Sequence, residues 1–190
     1  MEKPDICNVE KMKYEPLNNK DMKKLLGLIT ALYFGLASLN AMSYEEARDR
    51  ARFLTDKMAY ELNLNDQQYN DAYEINLDYL MNIRTASDAS SVYLEYRNAD
   101  LRFILYDWQY ALFQAATYFF RPVIWRTSGW FLPVYTIYSP SRFYYSPPRV
   151  YRVYRGGHYR YRHEHRQSFY AHRRPVWNGG LRGEHRGPLP

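Results

Sequence analysis

An all-α fold is predicted for this chain, an elongated helical hairpin of three to four helices followed by a largely disordered tail. Three observations predict it. Residues 42–120 contain neither Gly nor Pro. Within them apolar side chains recur at spacings of three and four, the period of one helix face. Capping signatures stand where such stripes begin. Residues 121–190 are rich in Arg, Tyr, Pro and Gly instead, a composition that does not easily bury a core.

The chain's earliest signal is one of address. Lys23 and Lys24 lead into an apolar run, Leu25 to Leu39, that closes on the small residues around Ala41. That order reads as a secretory signal peptide over 22–41. The run is shorter than the ~20 residues a spanning helix needs. Residues 1–21 are mixed in charge and hold Pro4 and Pro16, which does not suit a signal n-region, so translation from Met22 is expected. The sole cysteine, Cys7, lies in that segment. A mature chain starting near Met42 therefore has no disulfide, no thiol nucleophile and no cysteine for lipid attachment. The expected compartment is the periplasm.

The first helix is read over 43–62. Ser43 and Glu46 form a capping-box pattern, and Tyr44, Ala47, Ala51, Leu54, Met58 and Leu62 make its stripe. Glu45, Arg48, Asp49, Arg52 and Asp56 are assigned to a solvated face. A second helix, 66–84, starts at Asn65 with Gln68 three residues on, and carries Tyr69, Tyr73, Leu77, Leu80 and Met81. A polar connection spans 85–90. A third helical region covers 91–120, bent or broken near Leu105–Asp107. Its aromatic residues Tyr110, Phe113, Tyr118, Phe119 and Phe120 are read as core. Under eighty residues make a small core, so these single-striped helices are expected to complete their burial as a homodimer.

A short motif occurs twice. Leu64-Asn65-Asp66-Gln67-Gln68-Tyr69 and Leu105-Tyr106-Asp107-Trp108-Gln109-Tyr110 share Leu, Asp, Gln and Tyr at equal offsets. The pattern fits a helix entry: Leu packs before the start, the next residue caps, and Gln bonds backward. Tyr106 lacks a capping hydroxyl of the usual reach, so a continuous helix through the second copy is the alternative to a break. The pair resembles the twice-occurring Leu-Thr-x-x-Gln motif of the Spy/CpxP family of periplasmic helical proteins, over about residues 43–120. Thr55-Asp56-Lys57-Met58 and Leu62-Asn63-Leu64 are similar to the lead-in of Bacteroidetes-type relatives. The resemblance implies a cradle-like homodimer that shields unfolded or envelope proteins without ATP, or modulates envelope stress responses. Leu64, Asn65, Gln68, Leu105, Asp107 and Gln109 are its structural residues.

Charge divides the chain. Residues 42–120 carry 13 acidic and 7 basic side chains, whereas 121–190 carry 13 Arg, two Glu and all five His. So uneven a split argues for separate jobs. Arg149, Tyr151, Arg152, Tyr154, Arg155, Arg160 and Arg162 are the polyanion-binding candidates, because guanidinium forks match phosphates and rings stack on planar groups. Local strand is expected at 131–138 and 150–154. Behind an export signal, anionic lipid or lipopolysaccharide is the favoured polyanion over nucleic acid. His158, His163, His165, His172 and His185 have no spacing that closes a tetrahedral metal site, and no cofactor is expected. Enzymatic chemistry is disfavoured: the helical half has no His or Cys, and its carboxylates are assigned to solvent.

Overall fold

A computed structural model describes residues 18–24, 26, 41–127, 129–173 and 180–181, in two units, 1–39 and 40–190. In the first, 19–24 are helical, with Lys24 Nζ 3.8 Å from Asp21. The upstream segment with Cys7, and most of the expected signal segment 22–41, lie outside the described residues. Among the described residues no helix is long and apolar enough to cross a membrane.

The second unit is mostly helical. Helix α1 spans Tyr44–Leu62, capped by Ser43, whose hydroxyl accepts from the Glu46 amide at 3.1 Å. Glu46 turns to Arg50 instead of back to the cap, at 2.5 Å. Asn63 ends α1 in the left-handed conformation, φ 49°. Helix α2 follows over Asp66–Asn82. A 3₁₀ turn, Ala86–Ser90, bridges to α3, Val92–Ile104. Asp107–Ala115 is α4 and Thr117–Phe120 a short α5. The expected third region is thus three helices, broken where Leu105 takes an extended backbone, ψ 146°.

Where residues 121–173 are described they pack against the helices, which corrects the expectation of a largely disordered tail over that stretch. Strands β1, Ile124–Arg126, and β2, Gly129–Phe131, pair antiparallel with Trp125 opposite Trp130. Their indole rings meet edge to face at 4.9 Å. The strand expected at 131–138 keeps only Phe131 in β2 and continues as the 3₁₀ turn Pro133–Thr136. That expected at 150–154 is a further 3₁₀ turn, Arg149–Arg152. Helix α6 covers His158–His165.

Composition misled here because Arg and Tyr pack when they find partners. Trp130, Leu132, Val134 and Tyr170 join the same buried cluster as Leu54, Leu77, Leu101, Phe113 and Phe119. Helices α1 and α2 are consequently not single-striped. Residues 53–59 and 68–80 are buried without interruption, so each helix is covered on more than one side. Residues between Trp130 and Tyr170 thus cover helix faces that were expected to be buried by dimerisation.

Candidate functional site

The two motif copies meet. At the start of α2 the Asn65 carboxamide accepts from the Gln68 amide at 2.9 Å, and Gln68 Oε1 accepts from the Asn65 amide at 3.0 Å. At the start of α4, Gln109 Oε1 accepts from the Tyr106 amide at 2.9 Å. The backward bond therefore survives at the second copy without a capping Asn or Thr, and there a new helix begins. A continuous helix is ruled out at that point.

Each glutamine then reaches past its own helix. Gln68 Nε2 donates to the Ile104 carbonyl that ends α3, 2.8 Å, and to Gln109 Oε1, 2.6 Å. Gln109 Nε2 donates to the carbonyls of Leu62 and Asn63 that end α1, at 3.0 and 3.3 Å. One side chain thus satisfies orphan groups at a helix start and at another helix's end. Leu64 and Leu105 are buried beside the pair, and the first-turn acids Asp66 and Asp107 face solvent. Asp107 pairs with Arg102 at 2.5 Å. Leu181 returns here, its amide donating to the Leu64 carbonyl at 2.7 Å.

A second constellation joins the acidic helices to the basic third. On α2, Asp71, Glu74 and Asp78 lie three and four residues apart, hence on one face. Asp71 accepts from Arg173 at 2.6 Å and from Gln67 at 2.9 Å. Glu74 accepts from the Tyr170 hydroxyl at 3.1 Å, with His158 Nδ1 at 3.2 Å. Asp78 accepts from the Tyr154 hydroxyl at 2.8 Å and from the amides of Gly157 and Tyr159. Burial pushes the Asp71 carboxyl up to about 6, against the downward pull of Gln67 and Arg173. Burial likewise raises Asp78 and Asp100.

A matching clamp stands on α1. Lys57 and Asp56 are both fully buried and 2.8 Å apart. Asp56 accepts from the amides of Tyr144 and Tyr145 at 2.9–3.1 Å, and Lys57 donates to the Arg142 carbonyl. The rings of Phe53, Tyr138, Phe143 and Tyr144 surround the ammonium at 4.6–5.5 Å. Glu61 accepts from the hydroxyls of Tyr118 and Tyr138, both at 2.7 Å. Assigning the helical carboxylates to solvent is therefore corrected for Asp56, Asp71, Glu74, Asp78 and Asp100. These groups face the C-terminal third.

The polyanion candidates divide accordingly. Tyr151 donates to Asp49, Tyr154 to Asp78, Arg155 to Tyr44, and Arg162 pairs with Asp100. Those four are spoken for within the chain. Arg149, Arg152 and Arg160 are exposed, with Arg160 lying 5.7 Å from the Tyr159 ring. The exposed histidines His163 and His165 contact the rings of Tyr96 and Tyr161.

Sequence reading missed one buried cation altogether. Arg97 on α3 is 2% exposed and bonds Asn76, Asn98 and the Phe119 carbonyl at 2.8–2.9 Å. Desolvation lowers it to about 9. It pins α3 to α2 and α5. The signal available was slight: one Arg at a core position, flanked by Asn98. Asp71, Glu74 and Asp78 were also missed, although their spacing on one helix face is readable.

Comparison with protein-family models, with curated proteins and with solved structures yields no match to this chain, so its residues alone carry the functional reading.

Proposed function

We propose that this is a non-enzymatic binding protein of the Spy/CpxP type, acting in the periplasm on unfolded or envelope proteins by non-covalent contact. The observation that carries the reading is the Gln68–Gln109 junction. Both motif copies open a helix there with the same backward bond and share one hydrogen-bonded pair. A recurrence with a common structural role weighs more than a five-residue pattern alone.

The client surface in this reading is the turn between α3 and α4. Phe103 and Trp108 are 40% and 44% exposed on either side of it, framed by the Arg102–Asp107 ion pair. Apolar side chains edged by charge hold unfolded segments weakly and need no nucleotide for release. The buried carboxylates support a structural role over acid–base work, since Asp56, Glu74 and Asp78 each accept from groups of the C-terminal third. Unfinished burial on α1 and α2 no longer calls for a homodimer.

The test is light scattering of a thermally denatured client enzyme in the presence of the chain. Suppression by the wild type, reduced by the paired change Phe103→Ser and Trp108→Ser, is expected. No suppression at a molar excess of the wild type overturns the reading.

A further inference from the structure

We propose that the outward side of the turn at 149–153, with Arg142 and Phe143 beside it, docks on an anionic phospholipid bilayer. The turn Arg149–Arg152 is 3₁₀, with three residues per turn, so Arg149 and Arg152 lie on the same side. Its other residues are tied inward. The Val150 amide donates to Asn70 at 3.3 Å and the Tyr151 hydroxyl to Asp49 at 2.7 Å. Next in the chain stands Val153, 72% exposed and unusually so for a large apolar residue.

The patch extends across α1. The Arg52 guanidinium lies 4.1 Å from the Phe143 ring and 5.5 Å from that of Tyr151, so Phe143 borders the turn. Phe143 is itself 37% exposed, next to the exposed Arg142. Phe143 thus stands beside Arg52 and Arg142, and the exposed Val153 follows Arg152 directly in the chain. Neither Arg149 nor Arg152 has an ion-pair partner among the described residues. Of the acids on the helices behind the patch, Asp49 is taken up by Arg48 at 3.1 Å, Glu45 stands one helical turn earlier on α1, and Asp66 one turn before Asn70 on α2.

Two features select a bilayer over a nucleic acid. Single-stranded binding needs rings laid open for bases, but the Arg48 and Arg52 guanidiniums lie 5.1 and 5.5 Å from the Tyr151 ring, His158 packs on that of Tyr154 at 4.7 Å, and Phe143 is faced by Arg52. An exposed valine flanked by arginines gains instead from the boundary between headgroups and acyl chains. The guanidiniums remain at the phosphates.

The experiment is co-sedimentation of the full chain with vesicles of equal parts phosphatidylglycerol and phosphatidylcholine, against phosphatidylcholine alone. Expected is salt-sensitive binding to the anionic vesicles. Arg149→Ala with Arg152→Ala lowers the partition coefficient about thirtyfold, since each basic residue near such a surface contributes about fivefold. Val153→Ser weakens binding without altering its salt slope. All variants share one N-terminal segment, so differences between them read this face, and circular dichroism verifies that each folds. Partitioning unchanged by the double substitution overturns the proposal. So does tighter Arg149- and Arg152-dependent binding to single-stranded oligothymidylate than to vesicles. Client aggregation assays contain no lipid, so failure here leaves the chaperone-type reading separately measurable.

Discussion

Gln68 and Gln109, 41 positions apart, form a reciprocal side-chain pair: Gln68 Nε2 lies 2.6 Å from Gln109 Oε1, and Gln109 Nε2 lies 3.2 Å from Gln68 Oε1. Both are buried, so every amide proton and lone pair they leave unmade costs free energy. Gln68→Leu is expected to destabilise by about 2–3 kcal/mol, because the Ile104 carbonyl and the Gln109 amide lose a partner together. Gln109→Leu should cost a similar amount. The double variant should cost less than the sum, as paired residues are non-additive. Urea denaturation of the four proteins measures the coupling.

Asp71 is expected to make stability fall with rising pH. Its carboxyl is raised from 3.8 to about 6 in the folded chain, so between those values the native state holds more protons than the unfolded one. By linkage, stability then decreases as pH climbs through that window. Asp78 and Asp100, also raised by burial, act in the same direction. Asp71→Asn should remove ~3 kcal/mol of that fall in stability across the window. Denaturation midpoints taken at several pH values read it directly.

Asp56 and Lys57 should respond unequally to truncation. Asp56→Ala frees the Tyr144 and Tyr145 amides and leaves a buried ammonium, an expected loss of about 3–5 kcal/mol. Lys57→Met keeps the apolar stem among its rings and leaves Asp56 its amide donors, so a smaller loss follows. Hydrogen exchange at the amides of Tyr144 and Tyr145 separates them, with protection lost only in Asp56→Ala.

Gly180 passes so close to Asn63 that a Cβ there would stand 2.2 Å from its side-chain oxygen. Gly180→Ala must push that buried side chain aside, a crowding cost of about 1–3 kcal/mol. The Leu181–Leu64 hydrogen bond is the expected casualty. Faster exchange of the Leu181 amide, with the α1 amides unchanged, is the predicted signature.

The helices were legible because their information is local. Ser43 and Asn65 announce starts that appear within a residue of the expected ones, and the polar segment 85–90 is indeed a connection. Even the break at Leu105 could be read as one of two alternatives. What local pattern could not carry was the destination of residues 121–173. An arginine-rich, tyrosine-rich segment looks like solvated chain until its acidic partners are in place, and those partners, Asp56 or Asp78, lie about eighty residues upstream. Nothing at Arg162 itself says that Asp100 waits for it. The candidate site split along the same line. Gln68 and Gln109 were found from their motif, whereas Arg97 and the Asp71–Glu74–Asp78 row depend on tertiary burial.

The clamps on α1 and α2 also govern when this polypeptide can finish folding. Tyr154 reaches Tyr44 across 110 positions, and Arg173 reaches Asp71 across 102. Contacts so distant in the chain are slow to form, because loop closure precedes their reward. A nascent chain that has emerged only as far as α5 carries carboxylates and an ammonium whose permanent hosts have yet to be synthesised. Closure of the core around those groups is therefore expected to follow the arrival of residues 138–173.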